Sequence, residues 1–590
     1  MVRVADTQLE KFPNLVSMFL TRAREKGDAP FLSKKVDGDW QSISYSEAAQ
    51  QVAALAASLI RLGLRPGDRV MLVSENRPEW LIADLGIMAA GCVTVPTYTT
   101  NTTRDHQHIL ANSGASAVIV STQKLARNLL PAVLFASECR HVISIDDIIT
   151  GQSPDVAQFH HWEELVSGGS DLGAVEQRMA GVNRGDLACI IYTSGTGGAP
   201  RGVMQHHGMI LHNVEGCTDV IANDFGWDDE IFLSFLPASH AYEHSGGQLF
   251  PVALGAHIYY AESLEKLAAN IEEVRPTIMV VVPRLFEMLR AKIMKQVEKD
   301  GGVPAYLMGR AMNIESKRYA GKSVPWDLPM DGILSLTLRR KVRRRFGGRM
   351  KAMVSGGAPL NPDVGLFFQA MGLPMLQGYG QTEAGPVISC NRPKAGIRMD
   401  TVGPPLRNTE VRIANDGEIM VRGELVMKGY WHNDEESARV LQDGWLGTGD
   451  VGHLDEKNRI VITDRKKDLI VNDKGDNVSP QRVEGMLTLQ PEILQAMVYG
   501  DRQPHLVALL VPDPEEMKRF KDDPEGMQKA LSKAVDRVNA DLSVIEKVRR
   551  FILADEPFSV ENEMLTPSMK IRRHVIGGAY GERLSALFKR

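Results

Sequence analysis

Cysteine is scarce in this chain, which has five in 590 residues. The five are widely spaced, their number is odd and no two form a CxxC pair, so the sequence offers neither a disulfide framework nor a zinc site. We therefore expect a reducing, cytoplasmic setting. Long apolar stretches are absent as well: no run approaches the ~20 residues of a membrane-spanning helix, and residues 1–12 lack the apolar core of a signal peptide. Peripheral contact with the inner face of a membrane remains open.

A strong charge imbalance is also lacking, since the formal net charge is −5. The overall charge therefore does not indicate a nucleic-acid partner. At 590 residues the chain exceeds the ~250–300 residues at which a single core stops growing, so at least two domains are expected.

Short apolar runs alternate with stretches of helical periodicity, which predicts an α/β fold with largely parallel sheets. Helices are predicted over 45–62 and 523–545. The strand-like runs are residues 69–74, 117–121, 187–192, 277–282 and 498–511. The pattern resets after residue 463, so we predict a large N-terminal domain of layered sheets and helices over 1–463 and a small α+β domain over 464–590.

The segment 297–348 differs from the rest because it is rich in glycine, proline and charge. It contains the basic run RRKVRRR at 339–345. Runs of this kind are usually solvated helices or insertions. The alternative is a contact for anionic lipid or for the phosphates of a ligand.

The strongest local pattern is YTSGTGGAPRG at 192–202, at the end of an apolar run. Glycines let backbone N–H groups close around phosphate oxygens, and hydroxyl groups add donors. Arg201 adds a cation that can bind phosphate with two hydrogen bonds. The spacing is neither that of a Walker A loop nor that of a dinucleotide-binding turn. The residues predicted to hold phosphate are Thr193, Ser194, Gly195, Thr196, Gly197, Gly198 and Arg201.

This loop resembles that of the adenylate-forming (AMP-binding) superfamily, which includes acyl-CoA synthetases, luciferases and the adenylation domains of peptide synthetases. Two positions depart from the family pattern: Gly197 stands where threonine is usual, and Arg201 where lysine is usual. The first change removes a hydroxyl donor and the second keeps the charge, so weaker but intact pyrophosphate binding is expected. Further motifs follow in the order of the family, and the stretch 443–471 resembles fatty acyl-CoA synthetases in particular.

The resemblance implies a nucleotide and metal site. Thr193 and Glu383 would hold Mg²⁺, which uses few protein carboxylates when phosphates are present. Tyr379 would stack on adenine, and Asp450 would accept the ribose hydroxyls. The motifs concerned are SGGAPL at 355–360, GYGQTE at 378–383 and WLGTGD at 445–450. The nucleotide-binding residues implied in this way are Gly357, Ala358, Gly378, Tyr379, Gly380, Gln381, Thr382, Asp450, Arg465 and Lys570.

Other implied residues concern catalysis and domain movement. Lys570, in the motif LTPSMK at 565–570, resembles the catalytic lysine of the C-terminal loop. Asp464 would be the hinge of a mobile C-terminal domain, and Lys474 and Gly475 would lie where coenzyme A binds. His240, in LPASHAYE at 236–243, is a candidate gate near the substrate carboxylate, although a partly buried structural histidine explains it equally well.

The implied reaction is activation of a fatty acid by ATP to acyl-AMP, followed by thioester formation with coenzyme A. Attack of a carboxylate on a phosphate brings two anions together, so Glu383 with Mg²⁺, Arg201 and Lys570 would neutralise charge. The segment 297–348 and the sequence PRLFE at 283–287 resemble long-chain members. Two alternatives remain: a fatty acyl-AMP ligase that serves a carrier protein, and a non-catalytic nucleotide-binding protein on the same fold.

Overall fold

The computed structural model describes residues 11–149, 157–193, 199–322, 324–474, 476–566 and 571–589. Its two largest sheets are mostly parallel and confirm the predicted α/β class. In spatial order, the eight-stranded sheet consists of Val387–Cys390, Met375–Gly380, Ala352–Ser355, Ile278–Val281, Ile231–Ser234, His257–Tyr260, Pro30–Val36 and Asp39–Ser44. The seven-stranded sheet consists of Gln158–His161, His141–Ser144, Ala117–Val120, Arg69–Val73, Val93–Pro96, Leu187–Thr193 and Arg201–His206.

Antiparallel pairing in these sheets is confined to edge pairs. Both edge strands of the eight-stranded sheet are antiparallel to their neighbours. In the seven-stranded sheet, Leu187–Thr193 and Arg201–His206 form an antiparallel hairpin. The predicted glycine-rich loop therefore joins two strands of one sheet edge.

Helices cover both sheets, and one buried cluster joins side chains of the two sheets to the helices between them. The helices up to residue 440 are Leu15–Lys26, Tyr45–Arg61, Pro78–Ala89, Thr103–Ser113, Gln123–Val133, Trp162–Val166, Leu172–Met179, His207–Val220, Ala241–Glu243, Phe250–Leu254, Leu267–Val274, Pro283–Asp300, Gly302–Tyr319, Leu328–Leu336, Leu338–Arg345, Pro362–Ala370 and Asp434–Val440. Two π-helical segments, Ile221–Phe225 and His244–Leu249, continue helices of this set. Short 3₁₀ turns are Pro325–Asp327, Thr382–Ala384 and Pro393–Ala395.

The helix Tyr45–Arg61 shows why the local prediction succeeded. Ser44 caps it by accepting from the Glu47 backbone N–H, and the Glu47 carboxylate accepts from the Ser44 backbone in return. Its small and apolar side chains are buried over most of its length, including Val52 and Leu55. The cap and the apolar face agree, so sequence periodicity located the helix to within a residue.

The remaining strands lie in three smaller sheets. The five-stranded antiparallel sheet consists of Glu410–Ile413, Glu418–Arg422, Leu441–Gln442, Trp445–Leu454 and Ile460–Arg465. A two-stranded sheet of Ile470–Val471 and Asn477–Val478 comes next, and then a three-stranded sheet of Ile493–Tyr499, Leu506–Pro512 and Val548–Leu553. The C-terminal helices are Pro480–Leu487, Pro514–Arg519, Pro524–Ala540 and Arg573–Ala586.

The prediction of one strand over 498–511 was wrong. This stretch contains the end of one strand and most of another, which pair as an antiparallel hairpin. The turn between them contains Arg502 at a φ of 57°. The polar stretch GDRQPH at 500–505, which contains glycine and proline, marks this turn in the sequence, and the prediction of one strand passed over it.

The segment 297–348 is mostly helical and packs on the outer face of the eight-stranded sheet. Its buried side chains, including Met308, Ile314 and Leu334, join the cluster that contains Phe367 and Phe368. Within the described residues, none of the helices combines the length and the apolarity needed to cross a bilayer.

Candidate active site

A cavity of about 1350 Å³ lies where several strands of the two large sheets end, and the five-stranded sheet forms part of its wall. Thr193 reaches it from the end of Leu187–Thr193, and Gly356 and Gly357 follow directly after Ala352–Ser355. In open α/β sheets, ligands bind at the carboxyl ends of parallel strands. Thr566 and Ile571 of the C-terminal part also line the cavity.

The predicted phosphate loop begins and ends in this wall. Thr193 and Arg201 are opposite each other in the hairpin, and both line the cavity. Arg201 forms an ion pair with Glu436 and lies over the ring of Tyr430, 5.6 Å from its centroid. The structure thus brings together Thr193 and Arg201, two of the residues predicted to bind phosphate. Five predicted residues lie outside the described part of the chain: Ser194, Gly195, Thr196, Gly197 and Gly198.

The candidate metal-binding carboxylate, Glu383, lies in the same wall. It belongs to the 3₁₀ turn Thr382–Ala384, and its Oε1 accepts a hydrogen bond of 2.9 Å from the hydroxyl of Tyr430. Burial and the neighbouring carboxylate raise the pKa of Tyr430, so this phenol stays a donor. Glu383 shares the cavity wall with Thr193 and Thr382, and a carboxylate among hydroxyl-bearing residues fits Mg²⁺ held largely by substrate phosphates.

A second polar cluster connects Tyr379, Asp450 and Arg465. The Tyr379 hydroxyl donates to Asp450 Oδ2 at 2.7 Å, and Arg465 Nε lies 3.2 Å from Asp450 Oδ1. Asp450 is opposite Arg465 in the pairing of Trp445–Leu454 with Ile460–Arg465, which explains their proximity. Tyr379 and Arg465 line the cavity, whereas Asp450 is buried just behind them.

Backbone packing also constrains the glycines of the GYGQTE motif. A Cβ on Gly380 would lie 1.7 Å from the carbonyl oxygen of Pro386, so this position requires glycine whatever it binds. Gly378, Gly380, Gln381 and Thr382 all line the cavity. Two predicted residues, Ala358 and Lys474, are exposed and lie outside its wall. Gly475 and Lys570 fall outside the described residues.

His240 lies in the wall close to Tyr98, with 6.3 Å between the ring centroids. Its Nδ1 accepts a hydrogen bond of 3.1 Å from the backbone N–H of Tyr242 and so caps the short helix Ala241–Glu243. The histidine therefore combines a structural contact with a position on the cavity.

The sequence predicted an apolar tunnel entered past LPASHAYE at 236–243, but it did not identify the residues that line the apolar end of the cavity. It lies between helix His207–Val220, the two π-helical segments and the inner face of the eight-stranded sheet. A weak signal was present: the pair Gly246-Gly247 follows the ASHAYE motif, and Gly246 lines this end. The side chains here are Cys217, Val220, Ile221, Phe250, Ile278, Val280, Val354, Leu376 and Cys390.

Comparison with known proteins decides the family. Residues 19–431 match the family described as AMP-binding enzyme, and residues 467–590 match the AMP-binding enzyme C-terminal domain. The chain belongs to the AMP-binding enzyme family. Its relatives include long-chain-fatty-acid–CoA ligase FadD15 of Mycobacterium tuberculosis, 30% identical over 609 residues, with 98% of this chain and 97% of the relative covered. Long chain acyl-CoA synthetase 7, peroxisomal, of Arabidopsis thaliana is 30% identical over 598 residues, covering 93% of this chain and 82% of the relative.

Solved structures share the fold of this AMP-binding enzyme. The adenylation domain of a carboxylate reductase from Mycobacterium chelonae has a TM-score of 0.78 at 21% identity, covering 98% of this chain and 92% of that one. O-succinylbenzoate coenzyme A synthetase from Bacillus subtilis, in complex with AMP, has a TM-score of 0.69 at 20% identity, covering 95% of this chain and 98% of that one. At these identities the likeness shows the fold alone.

A buried carboxyl lies next to the apolar end of the cavity. Glu243 is fully enclosed, and its Oε1 accepts from the hydroxyl of Ser234 at 2.6 Å and from Gln248 Nε2 at 3.3 Å. Burial raises the pKa of the Glu243 carboxyl to about 8. Glu243 directly precedes the π-helical segment that carries Gly246, and its hydrogen bond to Ser234 ties the start of that segment to the strand Ile231–Ser234.

This raised pKa predicts a pH-dependent stability. Between the ordinary value of 4.5 and about 8, the folded protein keeps a proton that the unfolded chain releases. Glu243 alone therefore lowers the free energy of unfolding by about 1.4 kcal/mol per pH unit as pH rises through that window. Glu243→Gln should remove this slope, measured by urea unfolding at several pH values. The exposed Glu410→Gln is the control, and parallel curves for wild type and Glu243→Gln would contradict the assignment.

Proposed function

We propose that this AMP-binding enzyme activates a long-chain fatty acid with ATP to acyl-AMP and pyrophosphate, and then transfers the acyl group to coenzyme A. The observation that carries the proposal is one continuous cavity with two chemically different ends. Thr193, Arg201 and Glu383 line the polar end, and an aliphatic wall lines the other. A molecule that fills both ends has a phosphate group next to a hydrocarbon chain, as an acyl-adenylate has.

The polar residues would lower the barrier of the first step by neutralising charge. The fatty acid carboxylate attacks the α-phosphorus of ATP, and pyrophosphate leaves. Arg201 would bind the departing phosphates once its contact with Glu436 exchanges for them. Glu383 and Thr193 would hold Mg²⁺, which supplies positive charge at the phosphates when bound.

We propose that residues 464–590 form the C-terminal domain and pivot at Asp464. Asp464 ends the five-stranded sheet with Arg465, and most of the chain beyond Arg465 packs around cores of its own. Arg573 binds both carboxylate oxygens of Glu484 at 2.6 Å, which anchors the helix on the C-terminal side of the LTPSMK motif. The family match for the C-terminal domain begins at residue 467.

A chain-length scan tests the substrate class. A Cβ on Gly246 would lie 3.3 Å from Val280 Cγ2, so Gly246→Val should fill the apolar end. Loss of space for three or four methylenes, at about 0.8 kcal/mol each, should lower kcat/KM for a long-chain acid about 10²-fold. A short-chain acid should be affected much less. The measurement is fatty-acid-dependent release of pyrophosphate across a series of chain lengths.

The matched control is Gly309→Val, because Gly309 is helical, lies outside the cavity and has open space at its Cβ position. Equal losses at all chain lengths in Gly246→Val would contradict the assignment of the acyl pocket. Absence of fatty-acid-dependent pyrophosphate release from the wild type would overturn the proposed activity itself.

An acyl carrier protein is the alternative to coenzyme A as acceptor of the acyl group. Long-chain-fatty-acid acyl-carrier-protein ligase AEE15 of Arabidopsis thaliana is 27% identical to this chain over 615 residues, covering 92% of this chain and 82% of the relative. Incubation with ATP, a fatty acid and coenzyme A distinguishes the two acceptors. Free acyl-CoA supports the proposal, and accumulation of acyl-AMP without acyl-CoA favours a carrier protein.

We also propose a reducing compartment. None of the five cysteines, all of which lie in the described ranges, forms a disulfide, and four are buried.

A further inference from the structure

Exposed apolar side chains are concentrated in residues 324–336, on the outer side of the eight-stranded sheet. Trp326 is 89% exposed, and it differs from the other six tryptophans, which are buried or half-buried. Isolated exposed apolar residues are normal, but a contiguous group indicates an interaction surface. The exposed apolar residues of this stretch are Val324, Trp326, Leu328, Ile333 and Leu336.

The helix Leu328–Leu336 carries apolar side chains on its exposed side as well as on its buried side. At about 100° per residue, its exposed positions span an arc of about 140°. Leu334 lies opposite that arc and is fully buried in the core. The helix is thus fixed to the protein by one face while the other presents apolar groups to solvent.

The next helix, Leu338–Arg345, supplies positive charge. Leu338 and Val342 pack toward the core, whereas Arg340, Lys341 and Arg344 are exposed. Arg343 is exposed too, and its guanidinium donates to the carbonyl of Ser335 at 3.3 Å. This contact places a cation at the end of the apolar arc.

Neighbouring carboxylates do not cancel this charge. The only acidic residues of 324–345 are Asp327 and Asp331. Asp327 pairs with Lys317 at 3.2 Å, and Asp331 pairs with Arg318 and Arg339 at 2.9 and 2.6 Å. Among the described residues, no ion pair engages the four exposed cations at 340, 341, 343 and 344.

We propose that this basic–apolar face, formed by the exposed apolar side chains of 324–336 and the exposed cations of 340–344, docks on an anionic lipid bilayer. Aromatic and aliphatic groups beside arginine and lysine match the interface between acyl chains and charged headgroups. Leu334 and Val342 pack in the core, so the apolar side chains and the cations stay on the surface while both helices remain folded. Membrane docking goes beyond the proposed function. It rests on that function only for the reason to dock, which is that long-chain acids partition into bilayers.

Trp326 supplies an intrinsic probe. Vesicles of equal parts phosphatidylglycerol and phosphatidylcholine should shift the tryptophan emission of the full chain to the blue and sediment the protein in a salt-sensitive manner. Pure phosphatidylcholine vesicles and inorganic phosphate should do neither. Trp326→Phe should abolish the shift while sedimentation persists, because phenylalanine retains the apolar contact.

Charge variants give the quantitative test. Each basic residue near an anionic surface contributes about fivefold to binding, so R340E/R344E should lower the partition coefficient at least about 25-fold. K529E/K533E, on the exposed side of helix Pro524–Ala540, is the matched control and should bind nearly as the wild type does. Pyrophosphate release with a dissolved short-chain acid should be equal in all variants. A loss of vesicle binding can therefore be distinguished from a loss of the proposed enzyme activity.

Three outcomes would overturn the proposal. The first is equal partitioning of R340E/R344E and K529E/K533E. The second is absence of a blue shift with anionic vesicles. The third is self-association of the wild type in sedimentation velocity that W326S/L328S abolishes, because the face would then bind a second copy of the chain.

Discussion

Lys570→Ala should lower the rate of acyl-adenylate formation about 10²–10³-fold while leaving thioester formation from supplied acyl-AMP nearly unchanged. The lysine would neutralise charge only while carboxylate and phosphate approach each other, so the second step does not need it. Its neighbours in the described part, Thr566 and Ile571, both line the cavity, and Leu565 pairs with Ile571. The described residues on either side of Lys570 therefore lie at the cavity wall.

The two half-reactions are measured separately, as fatty-acid-dependent pyrophosphate exchange and as acyl-CoA formation from synthetic acyl-AMP. Lys529→Ala is the control, since Lys529 is exposed on helix Pro524–Ala540. Equal losses in both half-reactions would contradict a role confined to adenylation. An unchanged first step would remove Lys570 from the catalytic residues.

Glu383→Gln should reduce adenylation to a similar extent, about 10²–10³-fold, because it removes the negative charge that would hold Mg²⁺ at the polar end. The glutamine keeps the size of the side chain and can still accept from Tyr430. Raising the Mg²⁺ concentration should recover part of the rate, since the defect is in metal affinity. A rate loss that does not respond to Mg²⁺ would argue against this role.

Tyr430→Phe separates the effect of the negative charge of Glu383 from the effect of the orientation of its carboxylate. It leaves the Glu383 carboxylate in place and removes the hydrogen bond of 2.9 Å that orients it. We expect a loss of about tenfold, near the low end of the about 1.5–3 kcal/mol that a hydrogen bond to a charged group contributes, because the carboxylate itself stays in place. Glu410→Gln, in the neighbouring sheet, is the neutral control.

Local patterns predicted those parts of the fold in which periodicity, caps and turns agree. The helix Tyr45–Arg61 and the strand Ala117–Val120 were located to within one residue. The hairpin over 493–512 was missed although GDRQPH at 500–505 contains turn residues, because the apolar runs on either side were joined into one strand. The motif residues around Thr193 and Glu383 were found because their spacing resembles a known family, and the cavity they share is consistent with that interpretation.

By itself, the sequence determined the α/β class and the motif order of an AMP-binding enzyme. These properties depend on residue type and on spacing along the chain, which can be read directly. Tertiary structure alone decided which residues form the apolar pocket that continues the polar site, and that Tyr379, Asp450 and Arg465 form one cluster. Cys217 and Cys390 meet in that pocket although more than 170 positions separate them. The physical reason is that strand order and packing bring distant segments together, and periodicity over a few residues carries no record of those contacts.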